Sequence, residues 1–188
     1  RDGPAREFTV AVNNMKQIGL TLFEFDIAYG RYPDNSTAAE VKPNTDHLTL
    51  GNRNSNDYFR QLIASGVCKS EAMFYARTAN SRRPDGDMTG TKALEIGECG
   101  FAYIAGLSSA ENLPDTPLVV YPLIPGKLIF DCKLSEPWGY KAAILKIDNS
   151  VTTLPIDKSG HVLLNGKDLF DPTQPFWGGK APDVKWQE

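Results

Sequence analysis

The feature that most constrains the fold is a long apolar repeat near the start of the sequence, in residues 5–29 (AREFTVAVNNMKQIGLTLFEFDIAY). Apolar side chains recur there at spacings of three and four, which is the period of one helix face. The residues on this face are Phe8, Val12, Met15, Ile18, Leu22, Phe25 and Tyr29. Gly30 can take the left-handed conformation that ends a helix, and Pro33 cannot continue one. The pattern predicts an amphipathic helix roughly 38 Å long.

This predicted helix carries more apolar surface than one sheet can cover. Leu20, Phe23 and Ile27 widen the apolar arc beyond the main face. We therefore expect the helix to bury two sides. Residues 5–12 are expected to extend past the packed head, where terminal turns fray, so Phe8 should contribute little to the stability of the head.

Composition allows one sizeable core and argues against a nucleic-acid surface. The chain has 188 residues, of which 41% are hydrophobic, and nothing in it requires more than one domain over residues 1–188. The formal net charge is −3, with basic and acidic side chains interspersed. Affinity for a phosphate backbone needs a concentrated basic patch, so no nucleic-acid partner is expected.

Loop signals dominate the sequence between the predicted helix and residue 98. Residues 34–56 are polar and rich in Asn, Thr and Ser, which predicts a long surface loop. Asn56 or Asp57 can cap a short helix over residues 58–65. We therefore interpret residues 34–98 as extended loops with a short helix among them.

The period changes after residue 100. Short runs rich in aromatic and β-branched residues, bounded by Gly or Pro, predict strands. These runs cover residues 101–104, 118–121, 128–130, 142–147, 151–154, 161–164 and 167–170. Asp148 and Asn149 tolerate the positive φ of a tight turn and predict a hairpin between two of the runs. A Pro-, Gly- and Trp-rich tail follows at 171–188. The sequence predicts an α+β fold in which a small antiparallel sheet packs on the long helix.

The helical segment also resembles a known family. The run NNMKQIGLTLFEFDIAYGRYPDN, residues 13–35, is similar to the pattern N-Φ-K-Q-I-G-L-x-L-x-x-Y-x-x-x-x-G-R-Y-P, where Φ is apolar. That pattern occurs where the long N-terminal helix of pseudopilins and type IV pilin-like proteins enters the globular head. The match is close at residues 14–22 and 29–33, and Phe23 or Phe25 stands where the pattern often has tyrosine. The chain most resembles the head domain of a G-type pseudopilin of a type II secretion system.

The resemblance implies a non-catalytic structural subunit with a pilin-like fold. Its partners would be other pilin-like subunits in a type II secretion or type IV pilus filament. The residues at the helix contact would be Phe8, Val12, Met15, Ile18, Leu22 and Phe25. The resemblance also implies a bacterial protein in the periplasm or at the cell surface, anchored in the inner membrane before assembly and with a methylated N-terminus in the precursor.

One departure from the family lies at the start of the sequence. Pilin-like precursors begin with a short basic leader, a cleavage junction and about twenty apolar residues that anchor the subunit. Residues 1–6 show none of these, and no apolar run reaches the roughly 18 residues that span a bilayer. Two interpretations stay open, a soluble protein or a head whose membrane segment lies upstream, and we favour the second.

An alternative function is a binding module displayed on a pilin-like stalk. Trp138, Trp177 and Trp186 lie beside Gly and Pro and could stack on a glycan, although aromatic side chains in loops more often pack against a sheet. A host glycan or protein would be the ligand. The neighbours of the gene would separate the two functions.

The three cysteines leave two interpretations open. Cys68, Cys99 and Cys132 do not match a zinc-binding spacing. They are either three buried small side chains, or Cys99 and Cys132, which both flank strand-like runs, form one disulfide in an oxidising compartment and leave Cys68 free.

Catalytic motifs are missing from the sequence. His47 and His161 lie in no HExxH pattern and are interpreted as surface or structural residues. Residues 86–92 lack the GK[ST] ending of a phosphate loop, and there is no G-x-S-x-G. We therefore predict no catalytic residues and no enzyme activity.

Turn carboxylates are the remaining candidates for a metal site. Hard oxygen ligands bind calcium, and some pseudopilin heads do so. The candidates are Asp148, Asp157 and Asp168, with Asn149 and Asp171 beside them. No twelve-residue loop with alternating ligands and a terminal Glu surrounds them, so we interpret them first as solvated turn residues. No other cofactor is expected.

Overall fold

The long N-terminal repeat forms a helix, as its period predicts. The computed structural model describes residues 3–44 and 48–188. Helix α1 spans Gly3–Tyr29. Gly30 has a φ of 79°, and its N–H donates to the Asp26 carbonyl at 2.7 Å. The predicted left-handed stop is therefore present.

A second helix interrupts the predicted loop of residues 34–56. Helix α2 spans Asn35–Val41. The Asp34 carboxylate accepts the N–H of Thr37 at 3.0 Å, and the Thr37 hydroxyl accepts the N–H of Asp34 at 2.8 Å. This reciprocal cap satisfies N–H groups that the first helical turn leaves open. The prediction of a loop is wrong here. The start of α2 is set by this cap and not by an apolar repeat that the sequence analysis could recognise.

Helix α3 spans Ser55–Ala64 and begins earlier than predicted. Its cap is Asn54, whose side-chain oxygen accepts the N–H of Asp57 at 2.9 Å, instead of Asn56 or Asp57. Single turns of 3₁₀ helix occur at Lys42–Asn44, Ala72–Phe74, Gly90–Lys92, Glu136–Trp138 and Pro175–Trp177.

Two antiparallel sheets follow. The strands are β1 (Ala102–Ala105), β2 (Pro117–Tyr121), β3 (Lys141–Lys146), β4 (Val151–Pro155), β5 (Leu163–Leu164), β6 (Lys167–Asp168) and β7 (Asp183–Lys185). The larger sheet has the order β4-β3-β2-β1-β7, and β5 pairs with β6 separately. The prediction of a mixed fold with a long N-terminal helix and an antiparallel sheet is confirmed.

The hairpin predicted around Asp148 and Asn149 joins β3 and β4. Ile144 lies opposite Thr152 in this pair. Asn149 has a φ of 69°, and its N–H donates to the Lys146 carbonyl at 2.9 Å. A residue that tolerates positive φ is therefore required at the turn.

Three segments differ from the sequence prediction. Residues 128–130 form no strand, because a tight turn leaves only an isolated bridge between Leu123 and Phe130. The short helix α4, Cys132–Ser135, follows directly. The tail contributes β7, which pairs with β1 through Ile104 and Val184.

Helix α1 is held along its length. A Cβ atom at Gly19 would lie 2.8 Å from Cδ1 of Leu145 in β3, so the helix backbone approaches the sheet closely there. The Phe8 ring stacks on Trp138 with centroids 5.4 Å apart. Glu7 forms an ion pair with Arg77 at 2.9 Å. The expectation that residues 5–12 extend past the head is therefore wrong from Glu7 onward.

Candidate functional site

The predicted contact residues of α1 lie on the face that the head covers. Four of them, Met15, Ile18, Leu22 and Phe25, are completely buried. Phe8 and Val12 are partly buried and pack against the same core. This face therefore serves the fold of the head itself.

A second apolar face of α1 remains in solvent. We define the exposed stripe as Leu20, Phe23 and Ile27, which are 53%, 43% and 69% exposed. Spacings of three and four place them on one side of the helix. The widened apolar arc seen in the sequence thus has no partner within the described residues.

The C-terminal half of α1, which bears the stripe, is anchored from its buried side. The Asp26 carboxylate accepts hydrogen bonds from the hydroxyl and the N–H of Ser109, in the loop between β1 and β2. Just past the helix, the N–H of Tyr32 donates to the Leu107 carbonyl at 3.2 Å. These contacts present the stripe on a fixed helix.

The predicted calcium candidates act as turn residues. Asp148 accepts the N–H and the hydroxyl of Ser150, and this hydroxyl is the main cause that lowers the pKa of the Asp148 carboxyl. Asp157 accepts the N–H of His161 at 2.9 Å, the main cause that lowers its pKa. Asp168 accepts from Nδ1 of His161 at 2.5 Å. Each of the three carboxylates therefore accepts hydrogen bonds from residues close to it in the sequence.

The structure instead gathers three other carboxylates, a set that the sequence analysis missed. In the carboxylate cluster Glu71, Asp85 and Glu98, one ligand atom from each residue lies within 4.8 Å of the others. Glu71 is 1% exposed and Glu98 is completely buried, while Asp85 is exposed. All three come from loop segments. Oxygen ligands of this kind could hold a hard cation.

The carboxylate cluster also organises the loop between residues 85 and 95. Glu71 accepts the N–H groups of Gly86 and Leu94 at 2.9 and 3.1 Å. Glu98 accepts those of Asp85 and Glu95 at 3.1 and 2.8 Å. Each carboxylate oxygen keeps a second lone pair after such a bond.

Electrostatics at the cluster disfavours a bare negative charge. Burial raises the pKa of the Glu71 carboxyl; the N–H of Leu94 opposes this rise, and the charge of Glu98 adds to it. In the described part of the chain, no Lys, Arg or His forms an ion pair with Glu71 or Glu98. Two buried like charges without a counter-ion are costly.

The structure does not form the disulfide considered for Cys99 and Cys132, and all three thiols are free. Cys99 is buried at 3.5 Å from the Ser55 hydroxyl, and burial raises the pKa of its thiol to about 11. Cys132 begins α4, and its Sγ lies 3.5 Å from the Asp157 carbonyl. The segment at 128–130 that was predicted to be a strand is a turn, so the two cysteines do not lie on neighbouring strands.

The remaining candidates from the sequence are the tryptophans and the histidines. Trp138 and Trp177 are buried and donate to the carbonyls of Lys141 and Leu169, so their packing leaves no joint stacking platform. His161 pairs with Asp168, whereas His47 lies outside the described residues.

Comparisons with protein-family models, with curated proteins and with solved structures gave no match. Among the helices of residues 3–44 and 48–188, none combines the length and the hydropathy needed to cross a membrane.

Proposed function

We propose that this protein is a non-catalytic structural subunit of a pilin-like or pseudopilin-like filament, in a type II secretion or type IV pilus-type system. In this proposal α1 has two roles. Its buried face holds the head together, and its exposed stripe packs against α1 of neighbouring subunits.

The exposed stripe is the observation that carries the proposal. Exposed apolar side chains that are grouped together mark interaction surfaces, and three of them lie along one side of a helix whose other side the head already covers. A helix of this kind buries its second face against another chain. The likeness of residues 13–33 to the helix-to-head junction of pilin-like proteins supports the same assignment.

The proposal also covers location and partners. A segment upstream of α1 would hold the subunit in the inner membrane before assembly, with the head in the periplasm or at the cell surface. Its partners would be further copies or other pilin-like subunits.

The test changes the exposed stripe without touching the buried face. Ile27→Lys, introduced into the full-length gene in the source cell, should sharply reduce the filament material recovered by shearing. Ala28→Lys is the matched control, because Ala28 is exposed on the same turn and lies outside the exposed stripe. Normal filaments from Ile27→Lys, with circular dichroism showing a folded head, would contradict the proposal.

Absence of catalysis is part of the same proposal. In the described residues, His161 and Asp168 form the one histidine–carboxylate pair, and no serine or cysteine side chain hydrogen-bonds this histidine. A nucleophile adjacent to its base is the usual sign of hydrolytic chemistry. A reproducible turnover that one side-chain change abolishes would refute this part.

We further infer that the carboxylate cluster holds a divalent cation, with calcium as the first choice. The supporting observation is the pair of buried carboxylates, Glu71 and Glu98, which lack a positively charged side-chain partner in the described part of the chain. Calcium accepts several carboxylate and carbonyl oxygens in flexible geometry, which suits ligands supplied by loops. A bound cation would stabilise the folded state.

Calcium titration of the melting temperature tests this inference. Calcium in millimolar excess over EDTA should raise the melting temperature of the wild-type head by several degrees. The increase should be absent in Glu98→Gln and kept in Asp148→Asn, which changes a turn carboxylate. An equal calcium response in Glu98→Gln would place the ion elsewhere, and no response in the wild type would refute the site.

A further inference from the structure

A cleft opens between the start of α3, the segment after β2, and the segment that follows β7. Its volume is about 470 Å³, within the range of small-molecule sites. Much of its lining is apolar, including Leu123, Leu134 and Trp186. We call this region the α3–β7 cleft.

The wall formed by residues 186 and 187 is held in place by hydrogen bonds. Trp186 Nε1 donates to the Lys127 carbonyl at 2.7 Å, which fixes the indole ring. Gln187 Nε2 donates to the Leu123 carbonyl at 2.8 Å. The lining therefore includes a fixed aromatic side chain that can support an apolar ligand.

Two acceptors in the lining lack donors. Gln187 is 6% exposed, and its Oε1 has no hydrogen-bond partner in the described residues. Asp131 uses one carboxylate oxygen, Oδ1, to accept the N–H of Leu134 at 2.9 Å, and its other oxygen makes no hydrogen bond or ion pair there. Gln187 Oε1 is a buried acceptor without a donor, which is costly, and Asp131 is half-buried, so a ligand that donates to them gains free energy.

The charges of the lining favour a cationic donor. Asp131 and Glu188 contribute two carboxylates, and Arg53 is the one basic residue among the lining side chains. Arg77 and Lys133 line the neighbouring cleft, but Arg77 pairs with Glu7, and Asp131 has no ion-pair partner in the described part of the chain.

We propose that the α3–β7 cleft binds an organic amine, in which an ammonium group is carried on a flat apolar body. The apolar body packs against Trp186, Leu123 and Leu134. The ammonium group donates to Asp131, and its remaining protons supply the donor that the Gln187 side chain lacks. This proposal is independent of filament assembly, because it uses no residue of the exposed stripe.

The test follows the indole N–H signals of the intact protein by NMR. The probe is 2-phenylethylamine, compared with 2-phenylethanol and phenylacetate, which carry the same ring with a neutral and a negative group. The amine should shift the Trp186 signal saturably and bind about tenfold more tightly than the alcohol. Trp177, whose indole N–H donates to the Leu169 carbonyl, is the internal control, and its signal should not shift.

Two variants separate charge from packing. Asp131→Asn keeps a side-chain acceptor for the Leu134 N–H, so α4 retains its cap. The affinity for the amine should fall about fivefold or more, and the affinity for the alcohol should stay unchanged. Asp148→Asn removes a charge at a turn outside the cleft lining and should change neither the amine affinity nor the alcohol affinity. The proposal is overturned if phenylacetate binds as well as the amine, or if Asp131→Asn leaves amine binding unchanged.

Sedimentation of the same samples identifies the source of the cation. If the amine lowers the mass of a self-associated form, the natural occupant is a basic side chain of a second copy. If a self-associated form is present and keeps its mass, the occupant is a free small amine. Both results keep the ammonium recognition and differ only in what carries it.

Discussion

The two apolar faces of α1 resemble each other in sequence and differ completely in their surroundings. Met15, Ile18 and Leu22 are fully buried in the head, whereas Phe23 and Ile27 are 43% and 69% exposed. The comparison shows that one hydrophobic repeat can contain both a buried face and an exposed face. The head covers only the side of the helix that it contacts, so the exposed stripe has no partner among the described residues.

The largest expected effect comes from placing a charge on the buried face of α1. Leu22→Asp loses a buried apolar side chain and buries a carboxylate without a partner, a cost of about 4 kcal/mol or more. This is a large share of the roughly 5–15 kcal/mol that stabilises a domain, so urea unfolding should show a strongly lowered midpoint. Leu20→Asp, the same change on the exposed stripe, should leave the head folded. An equal loss of stability in both variants would show that the two faces do not differ in their contribution to the fold.

The next effect tests how closely the sheet approaches the helix. Gly19→Leu adds a side chain where even a Cβ would lie 2.8 Å from Leu145, so overpacking should cost roughly 1–3 kcal/mol. Thermal unfolding measures this loss. Ala28→Leu, on the exposed part of the same helix, should be near neutral. A stable Gly19→Leu variant would show that the contact with β3 relaxes easily.

A smaller effect is expected at the N-terminal end of α1. Phe8→Ala removes the ring that stacks on Trp138, which should cost roughly 1–2 kcal/mol. This value lies between those of the two faces, because Phe8 is only partly buried. Thr9→Ala, an exposed neighbour, is the control for changes in the helix itself. A cost as large as that of Leu22→Asp would make the N-terminal turns full members of the core.

The smallest effect on stability belongs to the exposed stripe. Ile27→Lys should change the free energy of unfolding by no more than about 0.5 kcal/mol, because the side chain is 69% exposed and a lysine near the helix C-terminus is favourable. Chemical denaturation measures it. A clear destabilisation would mean that the head itself uses the exposed stripe.

Local patterns predicted the elements that depend on neighbouring residues. The 3.6-residue period of α1 and the Asp148–Asn149 turn are both legible in short windows, and both are present. Helix α2 begins with the Asp34–Thr37 cap and carries too few apolar residues for a period. Strand β7 has three residues and depends on β1, which lies far away in the sequence.

The candidate metal site could not be predicted for the same reason. Glu71 and Glu98 approach each other only after separate loops have packed, and neither belongs to a ligand motif. The turn aspartates attracted attention because they cluster in sequence. In the structure Asp148 and Asp157 hold the N–H and hydroxyl groups of residues just after them, which is the ordinary use of Asp in tight turns.

The position of β7 sets an order of events during synthesis. Its partner β1 leaves the ribosome long before it, and the segment beside it reaches back to α3, where the Trp186 carbonyl accepts the N–H of Ser55 at 2.9 Å. Since chains emerge from the N-terminus, the larger sheet stays open at β1 until residue 185 has been made. A product that stops before Asp183 would expose an unpaired strand edge, a known template for aggregation.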